Sequence, residues 1–189
     1  MRILLLGPAR ANIIQYLTKL NNEIICNEQP IINNLQCKRF DFVISYGYRH
    51  IIQKEVIDYY TNRIINLHIS LLPWNRGADP NLWSYLEDTP KGVSIHRIDT
   101  GIDTGPILVQ QECCSEPGHT LRTSYERLGQ LIELAFFQNW PSIASGTIEA
   151  VKQDNGGSYH RSKDKDKYLY LLTKGWDTPV RNIIGKALE

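Results

Sequence analysis

Short apolar runs that alternate with helical patterns constrain the fold of this chain more than any other feature of its sequence. Runs of this length with few polar residues are typical of strands buried on both faces of a sheet. The predicted strands are residues 3–6, 23–26, 41–46 and 63–68, and the predicted helices are residues 11–20 and 53–60. This alternation predicts a doubly wound α/β fold with a mostly parallel, Rossmann-like sheet and helices on both of its faces.

The rest of the chain is predicted to add two strands, two helices and a tail. Asp79 and Pro80 are residue types favoured at a helix N-cap and at the first helical position. The predicted strands are residues 92–98 and 106–112, and the predicted helices are residues 80–86 and 120–140. We expect one domain over residues 1–152, with residues 153–189 as a short C-terminal extension packed on it rather than a domain of its own.

Composition argues against several classes of function and location. A formal net charge of +1 gives no basic footprint for nucleic acid or for an anionic membrane. The apolar start ends at Gly7-Pro8, which is too short for a signal peptide, and no stretch reaches transmembrane length. The four cysteines have neither CxxC pairs nor zinc-ligand spacing, so we predict no metal site and free thiols. These features predict a cytoplasmic protein.

Three polar residues stand out as candidates for chemistry. Asn66 and His68 lie two apart at the end of a predicted strand, so both side chains project from one face, at the sheet edge where ligands bind. Asp103 lies in a segment rich in Gly and Asp, which can reach the same edge and present its carboxylate to the imidazole. An amide donor and a proton carrier suit acyl transfer to an amine, although an isolated Asn-x-His pair is usually structural.

Longer segments around these residues carry a family resemblance. They are NLHISLLPWNRGADP at residues 66–80, GVSIH at residues 92–96 and DTGIDTGPIL at residues 99–108. Together they resemble the folate-dependent formyltransferases, a family that includes glycinamide ribonucleotide, methionyl-tRNA and nucleotide-sugar N-formyltransferases. They are also similar to the formylation domain of linear gramicidin synthetase. The resemblance implies the formyltransferase fold and transfer of a formyl group from the co-substrate 10-formyltetrahydrofolate to a primary amine.

The resemblance also implies roles for individual residues. It implies a catalytic set of Asn66, His68 and Asp103, and a pterin ring lying against main-chain groups of two loops. In this sequence those two loops consist of Tyr48, Arg49, His50, Ile51, Ile98, Asp99, Thr100, Gly101, Ile102 and Asp103.

Departures from the family pattern bear on the amine that is formylated. Where glycinamide ribonucleotide formyltransferases carry a Gly-Ser-Asn type of phosphate loop, this chain has GPARAN at residues 7–12, and Ile69 replaces the proline that commonly follows the histidine. The further C-terminal domain of methionyl-tRNA formyltransferases is not expected here. We therefore predict a small-molecule partner, a nucleotide-linked 4-amino-4,6-dideoxy sugar. Arg10 and Arg76 are candidates to bind its diphosphate, or are ordinary surface arginines.

Other readings stay open from the sequence alone. Glycinamide ribonucleotide and a carrier-bound aminoacyl group are alternative acceptors, and a formyltetrahydrofolate hydrolase or an inactive folate-binding domain are alternatives of another class. His96 is expected to be a partly exposed structural residue, whereas His160 fits either a site segment or a surface turn. Residues 163–167 alternate in charge and predict a solvated face, and residues 176–179 predict the entry to a closing helix. Exposed aromatic side chains at Trp176 and Tyr168 indicate an interface, such as that of a homodimer.

Overall fold

A six-stranded sheet forms the centre of the structure, a computed structural model that describes residues 1–31, 39–114 and 118–188. Its strands are β1 (Arg2–Leu6), β2 (Glu23–Asn27), β3 (Phe42–Ser45), β4 (Ile64–His68), β6 (Gly92–Arg97) and β7 (Ile107–Glu112). Across the sheet they follow the order β2-β1-β3-β4-β6-β7. A separate two-stranded sheet pairs β5 (Arg76–Gly77) with β8 (Tyr159–His160).

Strand direction divides the central sheet into two parts. Strands β1 to β4 run parallel to one another, as the short apolar runs predict. Strand β6 is antiparallel to β4, and β7 is antiparallel to β6. The predicted α/β class with a mostly parallel sheet is confirmed. The antiparallel register places His96 directly opposite Asn66, a proximity that the sequence pattern did not reveal.

Helices cover both faces of the sheet. Helices α1 (Ala11–Lys19) and α4 (Leu121–Ser145) pack on one face, and α2 (Lys54–Tyr59) packs on the other. Alternate side chains of β1 pack on opposite faces of the sheet. Ile3 and Leu5 lie in the hydrophobic cluster with α1 and α4, and Leu4 and Leu6 lie in the cluster with α2. Burying each such side chain contributes roughly 1.5–3 kcal/mol, which rigidifies the strands that carry the polar residues at their ends.

Helix α4 is longer than the sequence pattern predicted. It begins after Thr120, whose hydroxyl accepts from the Thr123 main-chain N–H in a capping box, and it ends at Gly146 in the left-handed conformation. The predicted helix ends at Trp140, and the next residue, Pro141, is of a type that is unfavourable inside a helix. Instead the helix continues through Pro141 to Ser145, since Trp140 and Ile143 are both buried in the core and hold the last turns in place.

The tail packs on the short helix α3 (Pro80–Leu86). Val180 and Ile183 are fully buried against Leu82 and Leu86. The predicted closing helix is instead two 3₁₀ turns, Gly175–Asp177 and Val180–Asn182, and a longer 3₁₀ segment covers Ser162–Leu171.

Several smaller predictions meet a mixed outcome. Asp79 is the N-cap residue of α3 as predicted, but its carboxylate accepts from Lys165 Nζ at 2.8 Å rather than capping the helix. Trp176 is exposed, whereas Tyr168 is partly buried with its ring edge-on to Trp83.

Cys26 and Cys114 are free thiols, and Cys37 lies outside the described residues. Across residues 1–31, 39–114 and 118–188, none of the helices has the length and apolar character needed to span a membrane.

Candidate active site

The three polar residues singled out by sequence meet at one end of the sheet. Asn66 and His68 project from the last residues of β4, and the loop between β6 and β7 brings Asp103 to them. Asn66 Nδ2 donates to Asp103 Oδ1 at 3.0 Å, and His68 Nδ1 lies 3.6 Å from Asp103 Oδ2. The amide, the imidazole and the carboxylate therefore form one cluster, with Asp103 between the other two.

The loop that carries Asp103 is held in an unusual backbone conformation. Asp103 has φ 53°, in the left-handed region that Asp tolerates better than most residues. Its Oδ2 accepts from the Gly77 main-chain N–H at 2.8 Å, and the Gln153 amide donates to the carbonyl oxygens of Asp103 and Gly105, each at 2.8 Å. A Cβ at Gly105 would lie 1.8 Å from the Arg97 carbonyl oxygen, so only glycine allows this approach.

His68 is buried, with an acceptor beside each ring nitrogen. Nε2 donates to the main-chain oxygen of Asn75 at 3.1 Å, because a carbonyl oxygen can only accept. Nδ1 faces the carboxylate of Asp103. Burial lowers the pKa of His68, and the nearby Asp103 opposes this only in part, so the net shift is downward and the neutral ring is favoured. A neutral imidazole with its proton on Nε2 can take up another proton at Nδ1.

The carboxylate of Asp103 is held in its charged form. Burial raises the pKa of Asp103, but His68, a hydrogen bond with His96, and the Gly77 N–H together outweigh burial and hold the pKa well below its usual range. These partners compensate for the loss of water around the Asp103 side chain, which is only 13% exposed. The site therefore offers a fixed negative charge beside a neutral imidazole.

His96 corrects a sequence prediction. It was expected to be a partly exposed structural residue, but it is buried, and its Nε2 lies 3.4 Å from Asp103 Oδ1 and 3.3 Å from Asn66 Nδ2. Its Nδ1 donates to the Arg97 carbonyl oxygen at 2.8 Å. The prediction was wrong because the sequence did not indicate that β6 would lie antiparallel beside β4, with His96 facing Asn66.

The two loops predicted to hold the pterin lie near one another. Tyr48 and Ile98 pack against the same hydrophobic cluster, and the Tyr48 ring is edge-on to His50 at 5.2 Å. In the second loop, Asp99 Oδ1 accepts from the Gly101 main-chain N–H at 3.1 Å, which shapes the turn. Exposed apolar side chains at Ile51 and Ile102 mark the outer part of the two loops. Contact with a pterin stays a prediction.

The two candidate phosphate-binding arginines have different surroundings. Arg10 lies with its guanidinium over the Tyr46 ring at 4.1 Å, and its Nε is buried without a hydrogen-bond partner. Arg76 donates from Nε and Nη2 to the Gln153 side-chain oxygen, at 3.3 and 3.1 Å. Since Gln153 also binds the loop of Asp103, Arg76 lies near the polar cluster.

Sequence reasoning missed Asn75 and Gln153, and left His160 undecided. Asn75 and Gln153 lie in segments read as a loop and a tail. Asn75 directly precedes β5, which pairs with β8, and Gln153 follows Val151, which forms an isolated bridge with Ile107 at the start of β7. His160 is buried and stacked on Trp83 at 3.6 Å, so the surface-turn reading is wrong. The available signal was the Gly-Gly-Ser-Tyr-His segment at residues 156–160, but nothing in the sequence identified its partner strand.

Comparison with known proteins identifies the family. A family model described as formyl transferase matches residues 14–138. The chain belongs to the formyltransferase family. The resemblance read from residues 66–108 is therefore confirmed.

Solved formyltransferases share this fold. The formyltransferase PseJ from Anoxybacillus kamchatkensis, in complex with UDP-4,6-dideoxy-4-formamido-L-AltNAc and tetrahydrofolate, is 53% identical with a TM-score of 0.96. That match covers 99% of this chain and 100% of PseJ. The predicted formyltransferase fold is confirmed.

Curated relatives of this chain include enzymes with different acceptors in their names. The dTDP-4-amino-4,6-dideoxyglucose formyltransferase of Mycobacterium tuberculosis is 30% identical over 134 residues, which cover 71% of this chain and 56% of that protein. The methionyl-tRNA formyltransferase of Desulfotalea psychrophila is 34% identical over 116 residues, which cover 61% of this chain and 36% of that protein. The chain thus matches 56% of the length of the sugar formyltransferase and 36% of the length of the methionyl-tRNA formyltransferase.

Proposed function

We propose that this protein transfers a formyl group from 10-formyltetrahydrofolate to the amine of a nucleotide-linked 4-amino-4,6-dideoxy sugar. The observation that carries the proposal is the likeness to PseJ over nearly the whole chain, at 53% identity. PseJ was solved with a 4-formamido sugar nucleotide and tetrahydrofolate, which are the two products that such a transfer would leave. A location in the cytoplasm and a homodimer remain predictions from the sequence.

The polar cluster can support direct transfer without an acyl-enzyme. The amine nitrogen bonds to the formyl carbon, the bond from that carbon to N10 of the folate breaks, and one amine proton ends on the leaving nitrogen. His68 Nδ1 takes that proton from the amine and returns it to N10, a role worth about 10²–10⁴ in rate. Asn66 Nδ2 donates to the oxygen that becomes negative in the tetrahedral species, and Asp103 stabilises the protonated imidazole.

Binding of the two substrates is proposed to use the elements around the cluster. The pterin lies against main-chain groups of the loops at residues 48–51 and 98–103, as the family resemblance implies. The diphosphate of the sugar nucleotide pairs with Arg76, next to the cluster, and Arg10 is a second candidate. Arginine suits this role because its planar fork matches two phosphate oxygens.

A panel of amines tests the proposed function. The purified protein is incubated with 10-formyltetrahydrofolate and, in separate reactions, with UDP- and dTDP-linked 4-amino-4,6-dideoxy sugars, glycinamide ribonucleotide and charged initiator tRNA. We expect a formyl product, detected by mass spectrometry, only with an amino-sugar nucleotide. Formylation of another amine would replace the proposed acceptor, and equal folate turnover with and without amine would indicate a hydrolase.

Substitution of Asn66 tests the oxyanion role. We expect Asn66→Ala to lower kcat about a hundredfold, because the amide donor acts mainly on charge that develops in the transition state. Affinity for the unreactive ligand 5-formyltetrahydrofolate, measured by calorimetry, should change less than about threefold. The control is Asn139→Ala, which removes an amide hydrogen-bonded within α4 to the Ala135 carbonyl oxygen. A variant that binds folate poorly but turns over normally at saturation would contradict the role.

A further inference from the structure

Asn75 lies behind the proposed catalytic histidine, on the side away from Asp103. Its carbonyl oxygen accepts the Nε2 proton of His68 at 3.1 Å, while Asp103 Oδ2 lies 3.6 Å from Nδ1. Both flanking groups are acceptors, so they compete for the single proton of the neutral ring. The shorter contact is with Asn75, and the tautomer depends on how firmly that carbonyl is held.

The side chain of Asn75 is anchored inside the protein. Asn75 is fully buried, and its Oδ1 accepts from the Thr89 hydroxyl at 2.8 Å. Its main-chain N–H donates to Ser158 Oγ at 3.0 Å, and its Nδ2 makes longer contacts of 3.4 Å with Ser158 Oγ and 3.5 Å with Glu87 Oε2. Every polar group of this residue therefore has a partner, and the carbonyl has little freedom to move.

The backbone of Asn75 also requires this residue type. Its φ is 56°, in the left-handed region that Asn adopts more readily than most residues. Glycine would adopt the same conformation but would lack the amide that binds Thr89 and Ser158. Asn thus combines the turn that points its carbonyl at His68 with the anchor that keeps it there.

We propose that Asn75 is a positioning residue, anchored by Thr89, that fixes the proton of neutral His68 on Nε2 and so leaves Nδ1 as the nitrogen that exchanges protons with the substrates. The inference rests on the proposed function of His68. Without the anchor, the tautomer with its proton on Nδ1 would be favoured, because Nδ1 could then donate to the carboxylate of Asp103. Nδ1 would then carry a proton before the amine arrives, and it could not act as the base.

The direct test is the tautomer of His68. Two-bond ¹H–¹⁵N spectra of the ¹⁵N-histidine-labelled protein, with the His68→Gln spectrum used for assignment, distinguish a protonated Nε2 from a protonated Nδ1. We expect Nε2–H in the wild type and a mixture rich in Nδ1–H in Thr89→Val, with kcat lowered about tenfold and KM for 10-formyltetrahydrofolate within about twofold. Thr89→Ser keeps the hydroxyl and should restore both the tautomer and kcat.

Two further variants keep the test decisive. Thr178→Val removes another buried threonine hydroxyl, which accepts from the Lys174 main-chain N–H at 3.2 Å, and it should leave the His68 tautomer unchanged. Asn75→Gly keeps the left-handed backbone and the main-chain bond to Ser158 but removes every side-chain bond of the anchor, so it should shift the tautomer even where Thr89→Val does not fold. A proton on Nδ1 in the wild type, or an unchanged tautomer in both anchor variants, would overturn the proposal.

The spectra separate this inference from the proposed function. They are recorded without any substrate, so an error about the transferred group or its acceptor does not affect them. A mistaken role for His68 would appear in the assay of His68→Gln, whereas a mistaken role for Asn75 would appear in the tautomer.

Discussion

Replacing His68 with glutamine is expected to lower turnover about a thousandfold. The reason is that His68 Nδ1 is the group proposed to carry the proton from the amine to the leaving nitrogen, and glutamine cannot change its protonation state near neutral pH. Glutamine retains an amide N–H of similar reach, so the donor to the Asn75 carbonyl can be replaced. The measurement is kcat for formyl transfer to the acceptor found in the panel, with both substrates saturating.

His119→Gln is the matched control for this variant. His119 is partly exposed, precedes α4 and has no part in the proposed proton path, so its replacement should leave kcat within about twofold. Thermal unfolding should show that both variants are folded. A His68→Gln enzyme that retains more than a tenth of the wild-type kcat would remove His68 from the proton path.

Replacing Asp103 with asparagine is expected to lower turnover by a similar factor, about a thousandfold. Asn tolerates the left-handed backbone at this position, so the loop should keep its shape. The substitution removes the negative charge that stabilises protonated His68, and it leaves one acceptor oxygen where the carboxylate has two, which accept from Asn66 and Gly77. The control is Asp88→Asn, since Asp88 also has positive φ, 46°, but pairs with Lys91 at an exposed site.

The pH dependence of the free energy of unfolding tests whether the folded protein holds Asp103 in its charged form. The pKa of Asp103 is lower in the folded protein than its ordinary value of 3.8, so the folded state binds fewer protons than the unfolded chain between the two values. Its contribution to the free energy of unfolding is therefore complete above pH 3.8 and is lost as the pH falls through the folded pKa. We expect the stability difference between wild type and Asp103→Asn to shrink below about pH 4. A constant difference from pH 7 to pH 3 would contradict this assignment.

The parts of the site that the sequence predicts are those set by local geometry. Asn66 and His68 share a face because side chains two apart on a strand point the same way, and the apolar run before them identifies the strand. The Gly and Asp content of residues 99–105 identifies a loop, because these residues favour turns and left-handed backbone. Asp103 lies in that loop, the family resemblance implies the same three residues as a catalytic set, and the structure brings the Asp103 carboxylate to both Asn66 and His68.

Other parts of the site depend on pairing between distant segments, which no local pattern specifies. His96 enters the cluster only because β6 is antiparallel to β4, and direction cannot be read from an apolar run. Strand β5 has two residues and finds its partner β8 about eighty residues later, so its sequence resembles that of a loop. Gln153 contacts the Asp103 loop from fifty residues further along the chain, which no local pattern indicates either.

The link that Gln153 makes between Arg76 and the loop of Asp103 has an evolutionary consequence. The Gln153 side-chain amide binds Arg76, a proposed diphosphate-binding residue, through its oxygen, and it binds the main-chain carbonyl oxygen of Asp103 through its nitrogen. A substitution that moves Arg76 to fit another nucleotide would also move Gln153, and so would shift the loop that holds the Asp103 carboxylate in place. If the proposed function is correct, acceptor preference and catalytic rate are coupled through Gln153, and new specificities would be reached most easily by changes that leave Gln153 in place.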